Sequence, residues 1–169
     1  MTHLMVTDCS IRPLVDEDLP DLHDLIGDIY REYGMRLNLA DEVEQHLLDP
    51  AGYFRTNGGE FWVVRDMNET LIATAAVHFD PEDDATAELK SLYVRKVNRR
   101  GGFGRLLTTL AMRYSRARDR RRFILWSDTR LTAAHALYES MGLTRCGERD
   151  IADSNNSREY GFTIDLTSP

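Results

Sequence analysis

Between Arg95 and Arg105 the chain sets Gly101, Gly102 and Gly104 among four arginines, then turns into a run of spaced leucines. A helix N-terminus exposes backbone N–H groups that have no intrahelical partner and carries a partial positive charge, and glycines let an anion approach those groups closely. Phosphate is the natural guest. Arg99, Arg100 and Arg105 can add charge-assisted contacts to the same anion, for which the planar guanidinium is well shaped. Two common phosphate loops do not fit. A Walker A loop requires Gly-Lys-Ser or Gly-Lys-Thr, which occurs nowhere, and a GxGxxG fingerprint begun at Gly102 meets Leu107 at its third glycine. Three glycines within four residues, flanked by arginine, also exceed what a simple tight turn needs.

The elements that must hold this junction follow from hydrophobic period. "SIRPLV" reads as an edge strand. In "DEDLPDLHDLIGDIYREYG", Leu19, Leu22, Leu25, Ile26, Ile29, Tyr30 and Tyr33 recur at helical spacing, with Pro20 in the first turn and Gly34 as a stop. "LADEVEQHLLDP" predicts a second, shorter helix ended by Pro50, and "GYFRTNGG" a loop after it. "EFWVVRD" and "TLIATAAVHF" predict a hairpin across "DMNET", and the acidic "DPEDDAT" leads to a third run, "AELKSLYV". From Phe103 the period becomes helical, with Leu106, Leu107, Leu110, Tyr114 and Ala117 on one face and the arginines largely off it. "RRFILWSD" is a buried-type strand. "TAAHALYESMG" is a short helix with Ala133, Ala134, Leu137 and Met141 as its apolar side and Gly142 as its cap. "LTRCGERDI" and "REYGFTIDL" predict two closing strands about the turn "ADSNNS". The glycines therefore lie between a strand and a helix of one α/β domain with a mixed sheet, residues 1–169, without linker or repeat.

Bulk properties narrow the classes. A chain of 169 residues, 42% hydrophobic and 29% charged, builds a real core without disulfide or metal staples. No stretch reaches the length of a transmembrane helix, and "MTHLMVTDCS" lacks the basic start and apolar run of an export signal, so a cytoplasmic protein away from membranes is expected. Cys9 and Cys146 stand outside any metal-ligand spacing and read as free buried thiols, and the five histidines form no HxH or HExxH pattern. No metal site is expected. The net charge of −7 argues against nucleic acid as a partner and suits a cationic one. The six arginines from Arg113 to Arg122 read as the solvated face and last turn of the long helix.

Arg99-Arg100-Gly101-Gly102-Phe103-Gly104 resembles motif A of the GNAT family of N-acetyltransferases, R/Q-x-x-G-x-G/A between a central strand and a helix. "AELKSLYV" resembles that family's fourth strand, and "AAHALYESMGL" its A-x-x-LYE-x-x-GF segment, with Gly142-Leu143 in place of GF. Order and spacing agree from Ala87 to Leu143, and the remaining elements follow the family's order. The resemblance implies a central, mostly antiparallel mixed sheet of six to seven strands flanked by about four helices. It implies acetyl-CoA as donor, with its pyrophosphate on the backbone amides of about Arg100 to Arg105 and its amide arm along the main chain of Leu92, Tyr93 and Val94, where the fourth strand splays at a bulge. Leu131 stands where the family often carries an asparagine, with Thr132 beside it, so a side-chain contact to the arm is not expected there.

Acetyl transfer to an amine needs a neutral nucleophile, a donor to the developing oxyanion and a proton for the departing thiolate. The resemblance places Tyr138 near the sulfur, where a phenol of pKa about 10 can protonate a thiolate whose thiol lies near about 8.5. It places Glu88, at the start of the fourth strand, as the base, with His78 in reserve. His135 reads as a structural or surface residue. The implied function is acetyl transfer to a primary amine, of a small molecule first, by direct attack in a ternary complex without a covalent enzyme intermediate. The acceptor pocket is expected between Tyr33, Gly34, Met35 and Arg36 and the turn at Asn155 and Asn156, with Glu82, Asp83 and Asp84 near its entrance, and a homodimer is a family tendency. Three alternatives stand beside this reading: a protein N-terminus or lysine as acceptor, a non-catalytic acyl-CoA-binding module, and a nucleotide-phosphate binder.

Overall fold

The computed structural model describes residues 8–168, so His3, Pro169 and most of the segment read for an export signal lie outside it. One sheet takes its strands in the order β1-β2-β3-β4-β5-β7-β6. They are β1 (Ser10–Pro13), β2 (Glu60–Arg65), β3 (Leu71–His78), β4 (Thr86–Val94), β5 (Arg122–Asp128), β6 (Thr144–Asp150) and β7 (Arg158–Asp165). The helices are α1 (Leu19–Glu32), α2 (Pro50–Arg55), α3 (Phe103–Arg116) and α4 (Thr132–Ser140). Among the described residues only β4 and β5 pair in parallel; the other neighbours are antiparallel. No helix among them is long and apolar enough to cross a membrane.

The sheet is covered on both faces, which is why β2 and β3 read as unbroken apolar runs. Alternate β2 residues part between the layers: Phe61 and Val63 pack with Leu22, Leu25, Ile26 and Phe54 beneath α1 and α2, while Trp62 and Val64 pack with Phe103, Leu107 and Ala111 beneath α3. β6, at one edge, is exposed along nearly its whole length and guards that edge with charge. Cys146 is consequently exposed and Cys9 half-buried, so neither is the buried thiol expected.

Two helical expectations are corrected. Over "LADEVEQHLLDP" the chain forms a 3-10 segment, Glu42–Leu47, and Pro50 opens α2 instead of closing a helix. Asp49 caps that helix by accepting a bond from the Gly52 amide at 2.9 Å, and proline is tolerated there because the first-turn N–H has no intrahelical partner. On α3 the buried face is Phe103, Leu107, Thr108, Ala111, Met112 and Ser115, while Leu106, Leu110 and Tyr114 flank it and Ala117 is exposed. Buried Thr108 and Ser115 hide in the apolar pattern because their hydroxyls bond the carbonyls of Gly104 and Ala111 in the preceding turn.

The arginines at 113, 116, 118, 121 and 122 are exposed, Arg113 and Arg116 in the last turn of α3 as expected, and three of the run also pack or bond within the fold. Arg118 lies 3.3 Å from the ring centre of Tyr114 and Arg120 4.4 Å from that of Phe79, while Arg116 Nε donates to the Leu166 carbonyl at 3.0 Å. The acidic turn is held by its own contacts. Asp83 accepts from the Ala85 and Thr86 amides and faces Arg122, at the start of β4.

The entry to α1 is fixed by a buried ion cluster. Asp18, 1% exposed, accepts from Arg12 at 2.7 and 2.9 Å, from Arg65 at 2.6 Å and from the Val15 amide at 2.9 Å. Burial alone would raise its pKa, but these bonds outweigh it and hold the carboxyl well below the usual carboxylate range. A depressed folded-state pKa contributes stability that is present at neutral pH and is lost as pH falls below the unfolded value near about 4. Asp18→Asn is expected to lower unfolding stability at neutral pH by about 3 kcal/mol, because Arg65 remains buried with less compensation. Urea melts of wild type and variant should converge as pH falls below about 4, and a constant gap would show that the carboxylate charge is not the source.

Candidate active site

Parallel pairing of β4 and β5 ends at Leu89 and Leu125. β5 continues on β7 to Asp128 and β4 continues on β3 to Val94, so the two diverge and leave the β4 edge from Lys90 to Val94 without a strand on that side. A bulge opens the gap. Tyr93 faces Thr74 and Lys90 faces Ala76, leaving Ser91 and Leu92 opposite one residue, and Ser91 takes φ 52°, the left-handed conformation of a residue squeezed out of register. The Thr74 hydroxyl holds the Ser91 carbonyl at 2.8 Å. His46 approaches from the other side, with Nδ1 on the Val43 carbonyl at 2.9 Å and Nε2 3.4 Å from the Ser91 hydroxyl. Burial, reinforced by the Lys90 charge, pushes this imidazole down to about 4, so it is neutral near pH 7.

Beyond β4 the chain reaches the glycines. Gly102 is the N-cap of α3 at φ 86°, where a side chain would be strained, and the space its Cβ would fill is open. Gly104 permits close helix approach, since a Cβ there would lie 2.9 Å from Leu137 of α4. The first amides of α3 therefore face a hollow walled by Leu92, Val94, Asn98, Arg100, Ala134 and Leu137. Asn98 Oδ1 in that wall is buried without a hydrogen-bond partner. Open amides, an empty Cβ position and arginine without any carboxylate fit a pyrophosphate.

The three arginines differ in availability. Arg99 is committed to the fold, with Nε on the Val94 carbonyl at 3.0 Å and both terminal nitrogens on Glu32 at 2.7 and 2.9 Å, so it ties the junction to α1 instead of offering its charge to an anion. Arg105 donates to the Ser140 hydroxyl at 2.6 Å. Arg100 is exposed.

A second hollow meets the first, the two sharing Ile29, Tyr33, Leu92, Tyr93 and Leu131 as walls. Both Glu88 and Tyr138 line it. Tyr138 is 4% exposed and packs on Phe162 at 5.6 Å, yet its hydroxyl bonds no described residue. Burial pushes that hydroxyl well above the ordinary phenol range, which keeps its proton in place. Glu88 lies 3.5 Å from Lys90 Nζ and opposite His78 across the β3–β4 ladder. His78 itself stacks on Tyr53 at 4.8 Å and is not a wall residue. His135 is structural: its Nε2 sits 3.1 Å from Ser127 Oγ and 3.0 Å from the Asp128 carbonyl.

The roof comes from the two loops expected to bound the acceptor. Tyr33 and Met35 line the hollow from one side, Asp153 and Ser157 from the other. Arg36 and Asn155 fasten these loops behind it, the Arg36 amide donating to Asn155 Oδ1 at 2.9 Å and Asn155 Nδ2 donating to the Arg36 carbonyl at 2.8 Å. Glu82, Asp83 and Asp84 take no part in the wall. Sequence reasoning missed Glu44, which is 7% exposed, lines the hollow and accepts from the Tyr30 hydroxyl at 2.6 Å, while Tyr30 and Tyr93 hydroxyls stand 3.2 Å apart. It also missed His46 and Ser91. Nothing local in "EVEQHL" distinguishes these residues from surface ones; tertiary burial does.

The family model described as the acetyltransferase (GNAT) family matches residues 19–143. N-acetylaspartate synthetase of Rattus norvegicus is 30% identical over 122 residues, covering 72% of this chain and 38% of that protein, so the chain spans under two fifths of that relative's length. An acetyltransferase structure from Streptococcus agalactiae superposes with TM-score 0.78 at 23% identity, covering 91% of this chain and 97% of that one. Spermidine N-acetyltransferase from Vibrio cholerae, in complex with CoA and spermine, superposes with TM-score 0.72 at 19% identity over 95% and 97%. These two likenesses establish a shared fold. Since the family match runs from the first residue of α1 to just beyond α4, the chain belongs to the acetyltransferase (GNAT) family.

Proposed function

We propose that the protein transfers the acetyl group of acetyl-CoA to a primary amine of a small cationic molecule, by direct attack in a ternary complex. The observation that carries this reading is the meeting of the two hollows where β4 and β5 diverge, with the unbonded Tyr138 hydroxyl in the wall of the second. The α3 amides from Gly102 to Arg105 hold the pyrophosphate, and Arg100 and Arg105 supplement them. The free edge at Leu92, Tyr93 and Val94 takes the amide arm as a strand would, and one of its N–H groups faces the acyl oxygen. Glu88 takes a proton from the attacking amine, and Tyr138 gives one to the departing sulfur.

Charge favours a cationic acceptor. The second hollow is walled by Glu44, Glu88, Asp128, Asp153 and Glu159 against Lys90 and Arg149. The rat relative is named for N-acetylaspartate, and the Vibrio cholerae enzyme for spermidine. A dicarboxylate would meet like charge in this wall, whereas an ammonium would meet opposite charge.

Thiol release from acetyl-CoA with a panel of small amines tests the reaction, and no release with any amine would overturn it. Tyr138→Phe is expected to lower kcat about a hundredfold while the KM for acetyl-CoA and the melting temperature hold, since the hydroxyl bonds nothing in the fold. Unchanged kcat would remove Tyr138 from the acid role. Gly102→Ala and Gly102→Glu share the backbone strain of a side chain at φ 86° and differ in charge. The Glu variant should show a KM for acetyl-CoA at least about tenfold above that of the Ala variant, and equal values would place the pyrophosphate elsewhere.

A further inference from the structure

The wall carboxylates of the second hollow are not equivalent. Glu88 lies 3.5 Å from Lys90, Asp128 is 3.4 Å from Arg130, and Glu159 accepts from Arg149 at 2.7 Å. Asp153 has both oxygens occupied, by the Ser157 amide at 2.8 Å and hydroxyl at 2.7 Å. Glu44 is the exception. It forms no ion pair with any described residue, and its one side-chain bond, at 2.6 Å, comes from the neutral Tyr30 hydroxyl on Oε1. Its Oε2 bonds no described residue and is not among the sealed unpartnered atoms, so it opens into the hollow. At 7% exposure this is a nearly buried carboxylate with half its acceptor capacity unused.

Such a group is costly unless a cation meets it. Lys90, in the same wall, stands beyond ion-pair reach of Glu44 and beside Glu88. Burial raises the Glu44 carboxyl pKa and no described cation lies within ion-pair reach, which leaves the position open to a cation from outside the chain. Tyr30 is held between Glu44 and Tyr93, so the carboxylate is oriented by three elements, the 3-10 segment, α1 and β4, before any guest arrives. Tyr30 and Tyr33 make the same wall aromatic.

Resting on the acetyltransfer reading above, the geometry points to Glu44 as the seat for a second ammonium group of the acceptor, making the substrate class an aliphatic diamine or longer polyamine. One amino group reacts at Glu88 and Tyr138 while the other, still protonated, is held by Glu44.

The test compares putrescine with n-butylamine, equal in carbon number, in the thiol-release assay on the full chain. In wild type, kcat/KM for putrescine is expected to exceed that for butylamine roughly a hundredfold, and Glu44→Gln, which keeps the volume and an acceptor for Tyr30, should cut that ratio about tenfold or more, chiefly through KM. Glu82→Gln, outside the wall, should leave the ratio unchanged. Equal kcat/KM for the two amines in wild type, or an unaltered ratio in Glu44→Gln, would overturn the assignment and leave acetyl transfer intact. Failure of thiol release with both amines and with spermidine would instead count against acetyl transfer itself.

Discussion

Beyond Leu89 the backbone of β4 has a neighbouring strand on one side only, and the rest of the site is arranged around that half-used edge. A continuous β4–β5 ladder would satisfy those peptide groups and close the cleft. Ser91 prevents it. The extra residue, its left-handed backbone and the Thr74 hydroxyl on its carbonyl turn the strand away from β5. The gap places the α3 N-terminus at one end of the free edge and Tyr138 beside it, while α1 closes the cleft from above through Ile29 and Tyr33. An extended ligand with its own amides completes a sheet that the protein leaves incomplete.

The parts of this arrangement visible in the sequence are those that local rules govern. Strands buried on both faces must be apolar throughout, α1 must carry an apolar stripe, and the α3 N-cap at φ 86° demands glycine. The resemblance to the GNAT family supplied the meaning of Tyr138 and Glu88, which no periodicity gives. What stayed hidden is set by partners distant in the chain. Arg99 looks like an anion ligand until Glu32, 67 residues away, is seen holding it. Glu44 and His46 look like the polar face of a short helix until a 3-10 turn buries both against β4 and α1. Pro50 reads as a stop when seen after an apolar run and as a start once Asp49 is seen to cap α2.

Electrostatics divides the cleft. The net charge of −7 conceals a donor hollow carrying arginine and no carboxylate beside an acceptor hollow with five carboxylates and two permanent cations, Lys90 and Arg149. Tyr93 lies between them, its hydroxyl kept protonated by burial and bonded toward Tyr30. The two ends of the cleft therefore present opposite fields, favouring an anion at one and a cation at the other.

One fastening of the two roof loops is read from main chain. Asn155 recognises Arg36 through its peptide N–H and carbonyl, and the Arg36 side chain takes no part. Farther along the same loop the side chains of Asn38 and Asp41 bond Ser154, whereas the Met35 side chain makes no such bond. Met35 can change and reshape the wall of the hollow while Asn155 and the Asp41–Ser154 pair keep the roof in register, so the selectivity of this scaffold can drift over evolutionary time without disturbing the sheet or the glycine junction.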